Sequence, residues 1–142
     1  MNETIALLQT CDAGVKTAVN SLENALRKAK DPEMTRELQR SLAAHRVLGT
    51  QLHSELDRRN CAGKEPSIMS RTMAKGKMDL CWLMSPKDGT VAALVSDGCA
   101  MGIRTVCREG NRRPKADEAA HTLARRITET EHETVRRLEP YL

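Results

Sequence analysis

Helical periodicity is the feature of this sequence that most constrains its fold. Over four long segments, apolar residues recur at the three- and four-residue spacing of an amphipathic helix, and almost no stretch alternates as a strand does. The first segment, from about Glu3 to Lys30, has an apolar stripe made of Ile5, Leu8, Cys11, Val15, Val19, Leu22, Leu26 and Ala29. The sequence therefore predicts an all-α protein.

Short polar breaks separate the long helices. Asp31 suits an N-cap and Pro32 suits the first helical position, so a second helix is predicted to begin here and to run to about Asn60. A third long helix lies between the breaks SPKDG and EGNRRP, and the last one runs from about Lys115 to Glu139. These tight turns make helices one and two, and helices three and four, antiparallel neighbours.

The connection between the second and third long helices determines the topology. It holds roughly 27 residues, including a helix of about 18 residues that Ser67 can cap and that ends near Met84. At 1.5 Å per residue this helix extends about 27 Å, which is enough to cross much of a bundle. Helix three could then run parallel to helix two, as in bundles with one long crossover. The alternative is an up-down bundle with an added helix.

Length and composition indicate one soluble domain. We expect residues 1–142, with a mass of 15.8 kDa, to form a single helical unit with its own core. No apolar run approaches the roughly 20 residues of a membrane span, and the first residues do not resemble a signal peptide. The five cysteines are odd in number and include no C-x-x-C spacing, which predicts free thiols and a cytoplasmic protein.

The charge pattern does not favour nucleic-acid binding. The net charge of +4 comes from 23 basic and 19 acidic residues, and the two signs are interleaved along the chain. Nucleic-acid binders usually cluster basic residues and add aromatic side chains for stacking, but this chain has one Trp, one Tyr and no Phe. A further hypothesis is that the protein binds anions or nucleic acid, and the affinity would then fall steeply with salt concentration.

Five segments resemble a bacterial family of ferritin-like four-helix proteins. They cover nearly the whole chain and read CDAGVKTAVNSLENA, KDPEMTREL, SIMSRTMAKGKMDLCWL, VSDGCAMGIRTV and EHETVRRL. The resemblance implies a ferritin-like four-helix bundle with a long crossover that contains an additional short helix between helices 2 and 3. It is also compatible with oligomerisation, and we expect a homo-oligomer, with a dimer favoured. It implies no assigned activity, and no protein partner is identified.

The resemblance also implies where a di-metal site should lie, and most of its ligands are absent. A di-iron bundle uses several carboxylates together with E-x-x-H pairs. Val15 and Cys99 stand where relatives carry Glu, and Leu42 precedes His45 where a Glu would complete a pair. We therefore expect the ancestral di-metal site to be largely lost.

The stretch TETEHETV at 128–135 contains one E-x-x-H pair, formed by Glu129 and His132. At about 100° per residue, Ile127 and Leu138 define the core side of this helix, and both members of the pair lie on the opposite side. They are predicted to be solvated partners of neighbouring charges. Glu131, by contrast, is predicted to face the core.

Three ionisable residues are thus predicted to point inward, namely Asp12, His45 and Glu131. Two carboxylates and an imidazole could bind a single iron, manganese or zinc ion. The alternative is a buried hydrogen-bond network in which His45 bonds Ser41 or Asp12, because an unpaired charge inside a bundle is costly. We favour the network, so no cofactor is expected.

Glycine and methionine positions give predictions about packing. Gly49, Gly98 and Gly102 lie on stripes predicted to face the core, where close helix approach or a small cavity would compensate for a glycine within a helix. Trp82 is predicted to anchor the crossover helix, with a contact between subunits as the alternative. The methionines predicted to fill gaps in a core without Phe are Met34, Met69, Met73, Met78, Met84 and Met101.

Catalytic motifs are absent from the sequence, which has no Gly-rich phosphate loop and no G-x-S-x-G. The sequence therefore favours a non-enzymatic helical bundle that acts through self-association or partner binding. The alternative is a metal-binding protein or oxidase with an altered site at Asp12, His45 and Glu131.

Overall fold

The computed structural model describes residues 2–142, and every regular element within that range is helical. The prediction of an all-α protein is therefore confirmed. In chain order the elements are α1 (Asn2–Lys28), α2 (Pro32–Arg58), α3 (Ile68–Met84), α4 (Asp88–Arg112), α5 (Glu118–Leu138) and a final 3-10 turn (Glu139–Tyr141).

Capping residues determine where α2 and α3 begin. The Asp31 carboxylate accepts the backbone N–H groups of Glu33 and Met34 at 2.8 and 3.1 Å. The Ser67 hydroxyl accepts the N–H of Ser70 at 3.0 Å. Each cap provides an acceptor for N–H groups that the first turn of a helix leaves without an intrahelical partner.

The start of α5 differs from the prediction, because the helix begins at Glu118 rather than near Lys115. Asp117 is its N-cap and accepts the N–H of Ala120 at 2.9 Å. The backbone N–H of Asp117 in turn donates to the hydroxyl of Thr4 at 2.8 Å. The Asp117 cap thus marks the start of α5, and the hydrogen bond to Thr4 joins this point to the start of α1.

Hydrogen bonds at the two ends of the bundle establish the direction of the helices. Asp88, at the start of α4, accepts the backbone N–H groups of Lys30 and Asp31 in the α1–α2 turn, at 2.8 and 2.9 Å. At the opposite end, Arg59, which follows α2, donates to the carboxylate of Asp117, which precedes α5, at 2.5 Å. Thus α2 and α4 begin at the same end and run in the same direction, antiparallel to α1 and α5.

The apolar core forms two clusters along the bundle. The cluster near the start of α1 contains Leu7, Leu8, Cys11, Val15, Leu48, Leu52, Leu56, Val106, Ala116, Ala120, Leu123, Ala124 and Ile127. The cluster near the start of α2 contains Leu22, Ala25, Met34, Leu38, Leu42, Met78, Val91, Ala92, Val95, Cys99 and Leu138. On α2 the chain passes from one cluster to the other between Leu42 and Leu48, the interval that contains His45.

The crossover helix α3 is fastened to the bundle by one side only. Met78 is buried in the second cluster, and Trp82 packs against it, as predicted for an anchor. Asp79 accepts a hydrogen bond from the Lys28 ammonium at 2.7 Å, and this contact, with a further one from Lys75, lowers the pKa of the Asp79 carboxyl. The other side of α3 has no such partners.

The prediction that the methionines fill the core is wrong for most of them. Met34 and Met78 are buried, with 0 % and 6 % of their surface exposed. The four exposed ones, with exposed fractions of 63–79 %, are Met69, Met73, Met84 and Met101. Their exposure creates an apolar surface on α3 and α4 that the sequence alone does not reveal.

The predicted core face of α4 is also wrong in part. The buried residues Ala92, Cys99 and Val106 define the inward direction of this helix. At about 100° per residue, Met101 lies roughly 150° away from that direction. Gly98 is likewise exposed, whereas Gly102 does face a neighbouring helix.

Among residues 2–142, α4 is the one helix that by length and composition alone could cross a membrane. The apolar window that meets this criterion is 28 % buried in the bundle. The core helix of a soluble protein can meet the same criterion. The finding therefore shows only that α4 is unusually apolar for a helix with so much exposed surface.

Candidate functional site

A buried polar pair occupies the middle of the bundle. His45 on α2 has 0 % of its surface exposed, and Glu131 on α5 has 4 %. The Nε2 atom of His45 makes a short hydrogen bond to Oε1 of Glu131. The structure thus brings together two of the three residues that the sequence predicts as inward-facing ligands.

A chain of hydrogen bonds continues from the other ring nitrogen. His45 Nδ1 lies 2.8 Å from the backbone carbonyl of Ser41, which can only accept, so this nitrogen carries a proton. The Ser41 hydroxyl lies 2.6 Å from the hydroxyl of Thr134, which donates to the carbonyl of Thr130 at 2.9 Å. The predicted partnership of His45 with Ser41 is confirmed, and Thr134 extends it to α5.

The protonation state of His45 follows from these contacts. Burial by itself lowers the pKa of the imidazole, but the hydrogen bond and negative charge of Glu131, together with the Ser41 carbonyl, raise it overall. The raised pKa favours an imidazolium that donates from both nitrogens. The pair is then a buried ion pair in which each charge has a partner.

Helix α4 covers this pair with a cysteine and a glycine. Burial raises the pKa of the Cys99 thiol, and the Glu131 carboxylate raises it further, so Cys99 stays protonated. A Cβ atom placed on Gly102 would lie 2.7 Å from Oε2 of Glu131. Gly102 therefore permits the close approach of α4 to the carboxylate, which is one of the two explanations expected for a glycine in a core-facing stripe.

We predict that Gly102→Ala lowers the free energy of unfolding by about 1–3 kcal/mol, the usual range for overpacking. The new methyl group would displace a carboxylate that His45 holds in place. Gly98→Ala is the matched control, because nothing lies within 4 Å of its Cβ position, and it should stabilise α4 by up to about 1 kcal/mol through helix propensity. Chemical denaturation of both variants gives the comparison, and equal shifts in the same direction would contradict it.

Asp12 is buried, with 4 % of its surface exposed, but its contacts differ from those of His45 and Glu131. Its Oδ2 atom accepts the backbone N–H of Lys64 at 2.9 Å and lies 2.8 Å from the Lys16 ammonium. Lys16 also pairs with Glu65 at 2.7 Å. Asp12 thus fastens the loop after α2 onto α1.

Helical register places Asp12 away from His45 along the bundle. The Cβ position of Gly49 lies 3.5 Å from the Val15 side chain, so these two residues are level on the antiparallel helices α1 and α2. Asp12 and His45 are displaced from that level in opposite directions by three and four residues. The offset of about seven residues corresponds to roughly 10 Å at 1.5 Å per residue.

The polar pair has the contacts of a hydrogen-bond network. Nδ1 of His45 faces the Ser41 carbonyl and Nε2 faces the Glu131 carboxylate, so both ring nitrogens have partners. Within residues 2–142, no three His, Cys, Asp or Glu side chains are grouped so that they could hold a metal ion. A single ion bound here would have to replace the proton on Nε2.

The E-x-x-H pair of TETEHETV lies on the water-facing side of α5, as predicted. Glu129 and His132 are both exposed, while Glu131 between them is buried. The prediction from helical phase is confirmed for all three residues. This motif therefore contributes nothing to the buried pair except the position of Glu131.

A second candidate site is the outer face of α3, defined by Met69, Met73, Leu80 and Leu83. These side chains are 59–72 % exposed and recur at helical spacing on the side opposite Met78. Ile68 and Met84, at the two ends of α3, are 76 % and 79 % exposed. A row of this kind is uncommon on a monomer surface, where single exposed apolar residues are ordinary.

Sequence reasoning missed Thr134, Cys99 and Gly102 as neighbours of the polar pair. Thr134 could have been found, because it lies three residues after Glu131 and so shares its face of α5. The contribution of α4 could not, because it depends on how closely two helices pack. Comparison of the chain with protein-family models, with curated proteins and with solved structures finds no match.

Proposed function

We propose that this protein is a non-enzymatic, ferritin-like helical bundle that acts by self-association, as a homodimer formed through the exposed apolar surface of α3 and α4. The observation that carries the proposal is the outer face of α3. Of the nine large apolar residues that are exposed in residues 2–142, six lie on α3 and one, Met101, lies on α4. The remaining two are Val47 and Leu142.

The ferritin-like assignment rests on the direction of the helices. In such bundles the second and third long helices run parallel and are joined by one long crossover. Here α2 and α4 begin at the same end, where Asp88 binds the α1–α2 turn, and α3 lies in the connection between them. An up-down bundle would place the start of α4 at the opposite end.

Energetics support a dimer through this surface. Burying a Leu or Met side chain contributes about 1.5–3 kcal/mol. A symmetric contact that buries Met69, Met73, Leu80 and Leu83 on both protomers can therefore offset an association cost of about 4–15 kcal/mol.

The five free cysteines suit a reducing compartment, which is consistent with a cytoplasmic location.

The test is to make the outer face of α3 polar. We expect light scattering to give a mass near twice 15.8 kDa for the wild type and near 15.8 kDa for the Met73→Gln, Leu80→Gln double variant. Val47→Gln is the control, because Val47 on α2 is 54 % exposed and lies outside this surface. Circular dichroism establishes that the variants are folded.

Two results would overturn the proposal. One is a double variant that self-associates as the wild type does. The other is a wild type that stays a single chain but binds lipid vesicles in a manner that requires Met73 and Leu80, which would make the apolar surface a membrane contact.

A metal-binding protein or oxidase is the second candidate, and the meeting of His45 with Glu131 is the observation in its favour. Protein purified without an affinity tag would be loaded with iron(II), manganese or zinc and its metal content measured. The ion-pair interpretation predicts no metal that depends on His45. Stoichiometric metal in the wild type that is lost in His45→Ala would instead establish the metal site.

A further inference from the structure

Helix α4 carries a second exposed row, distinct from the outer face of α3. Its residues recur with alternating spacings of four and three, as at the contact positions of paired helices, and they are Thr90, Leu94, Asp97, Met101, Arg104, Arg108 and Asn111. Five of these seven residues, from Asp97 to Asn111, are exposed, whereas Thr90 and Leu94 are partly buried and Leu94 packs against the second core cluster. We call it the outer face of α4.

Two opposite charges lie on this row on either side of Met101. Asp97 and Arg104 are seven residues apart, which places them about two turns apart on the same face of the helix. Both are exposed, and neither forms an ion pair with any residue from 2 to 142. Most charges on the other three long helices do have an ion-pair partner, whereas on α4 Arg108 and Arg112 also lack one among the described residues.

The arrangement is self-complementary about a two-fold axis. Residues 97 and 104 are equally far from the midpoint between residues 100 and 101. If two copies of α4 pack antiparallel about an axis through this midpoint, Asp97 of each copy lies opposite Arg104 of the other. An isologous interface requires this reciprocity, in which residue i meets residue j and j meets i.

The residues near the axis suit such a contact. Met101 of each copy would lie beside the axis and pack against Ala100 and Met101 of the other copy, and a methionine side chain adapts readily to an irregular gap. Ala100 and Gly98 beside it are small and exposed, so the two helices can approach closely. A parallel pairing would set Asp97 against Asp97 and Arg104 against Arg104, which like-charge repulsion disfavours.

We propose that the outer face of α4 is a homodimer contact in which two copies of this helix pack antiparallel around Met101, with reciprocal ion pairs between Asp97 and Arg104. This inference rests on the proposed function, which it deepens by specifying how the second copy is seated. Helix α3 contacts α4, so residues of α3 could add to the same contact.

A charge-swap experiment tests the pairing. We expect Asp97→Arg and Arg104→Asp each to raise the dimer dissociation constant at least about tenfold, because each brings like charges together across the axis. The double variant Asp97→Arg, Arg104→Asp should return to within about threefold of the wild type. Glu129→Arg, which reverses an exposed charge on α5, is the control and should leave the constant unchanged. Sedimentation equilibrium measures all five proteins.

The outcomes separate this inference from the proposed function. Single variants that dimerise as the wild type does, while Met73→Gln, Leu80→Gln dissociates, would overturn the α4 pairing and leave self-association through α3 in place. A double swap that stays as weak as the singles would also overturn the reciprocal pairing. A wild type that remains a single chain would overturn both.

Discussion

Glu131→Leu should lower the free energy of unfolding by about 3–5 kcal/mol at pH 6, the range for breaking a buried ion pair from one side. His45 has no exposed surface, so without Glu131 its ring must either stay charged with no partner or give up its proton, and both lower stability relative to the wild type. Leu has a volume similar to Glu, which keeps the effect of lost packing small. Chemical denaturation followed by circular dichroism measures the change.

Glu129→Leu is the matched control for this substitution. Glu129 lies two residues earlier on α5 and is exposed. Surface substitutions of this kind usually change stability by under about 1 kcal/mol. If Glu129→Leu lowered the free energy of unfolding as much as Glu131→Leu does, the orientation of α5 would be contradicted.

The pH dependence of the Glu131→Leu effect has a definite sign. In the wild type the pKa of His45 is raised, so the pair contributes stability that is fully present below the unfolded pKa of about 6.5 and is lost as pH rises through the higher folded value. Without Glu131, burial lowers the pKa of His45, and stability instead increases as pH rises towards about 6.5.

The difference between the two proteins should therefore narrow as pH is raised from about 5 to 8.5. The buried thiols do not affect the comparison in this pH range. Burial raises the pKa of Cys11 from 9.0 to about 12, so this thiol changes the free energy of unfolding only above pH 9.0. A difference that is constant with pH would show that His45 is not charged in the folded protein.

The second large effect is expected at Leu52, which is fully buried in the cluster near the start of α1. Leu52→Ala should lower the free energy of unfolding by about 2–5 kcal/mol, through lost burial and the cavity left behind. It should leave the dissociation constant of the dimer unchanged, because Leu52 is remote from the outer faces of α3 and α4.

Leu80→Ala makes the same substitution at an exposed position. It should weaken dimerisation and leave the stability of the single chain almost unchanged. Leu80 is 59 % exposed, so the stability of the single chain should change by less than about 0.5 kcal/mol. Dimerisation should weaken, because the side chain belongs to the proposed contact. Unfolding is measured at protein concentrations below the dissociation constant, since association adds to apparent stability. A similar loss of single-chain stability in both variants would contradict the placement of α3.

Periodicity and capping predicted most of the helical structure because both depend on neighbours in the sequence. Asp31 and Ser67 were recognised as caps, and α2 and α3 begin directly after them. The predicted start of α5 near Lys115 is too early, because the helix begins only after the Asp117 cap, which the apolar periodicity does not mark. The hydrogen bond between Asp117 and Thr4 cannot be predicted from local patterns, because the two residues are distant in the sequence.

The buried pair was within reach of sequence reasoning, because His45 and Glu131 each lie on the apolar stripe of a helix. Asp12 was correctly expected to face inward, but its partners lie in the aperiodic loop after α2. The exposure of Met69, Met73 and Met84 on α3 differs from the prediction for another reason. α3 is apolar on two opposite faces, and a hydrophobic pattern does not reveal which face the bundle covers.

Together these features describe a bundle whose central polar groups neutralise each other. His45 and Glu131 hydrogen-bond each other directly, and the second ring nitrogen of His45 lies 2.8 Å from the Ser41 carbonyl. The proposed dimer would bury the apolar outer face of α3 together with Met101 on α4.

The most direct test of that account is the mass of the wild-type protein by sedimentation equilibrium over a wide range of concentrations. The account predicts a reversible equilibrium that reaches twice 15.8 kDa and goes no further, as a closed two-fold contact requires. A mass of 15.8 kDa at every concentration would contradict it.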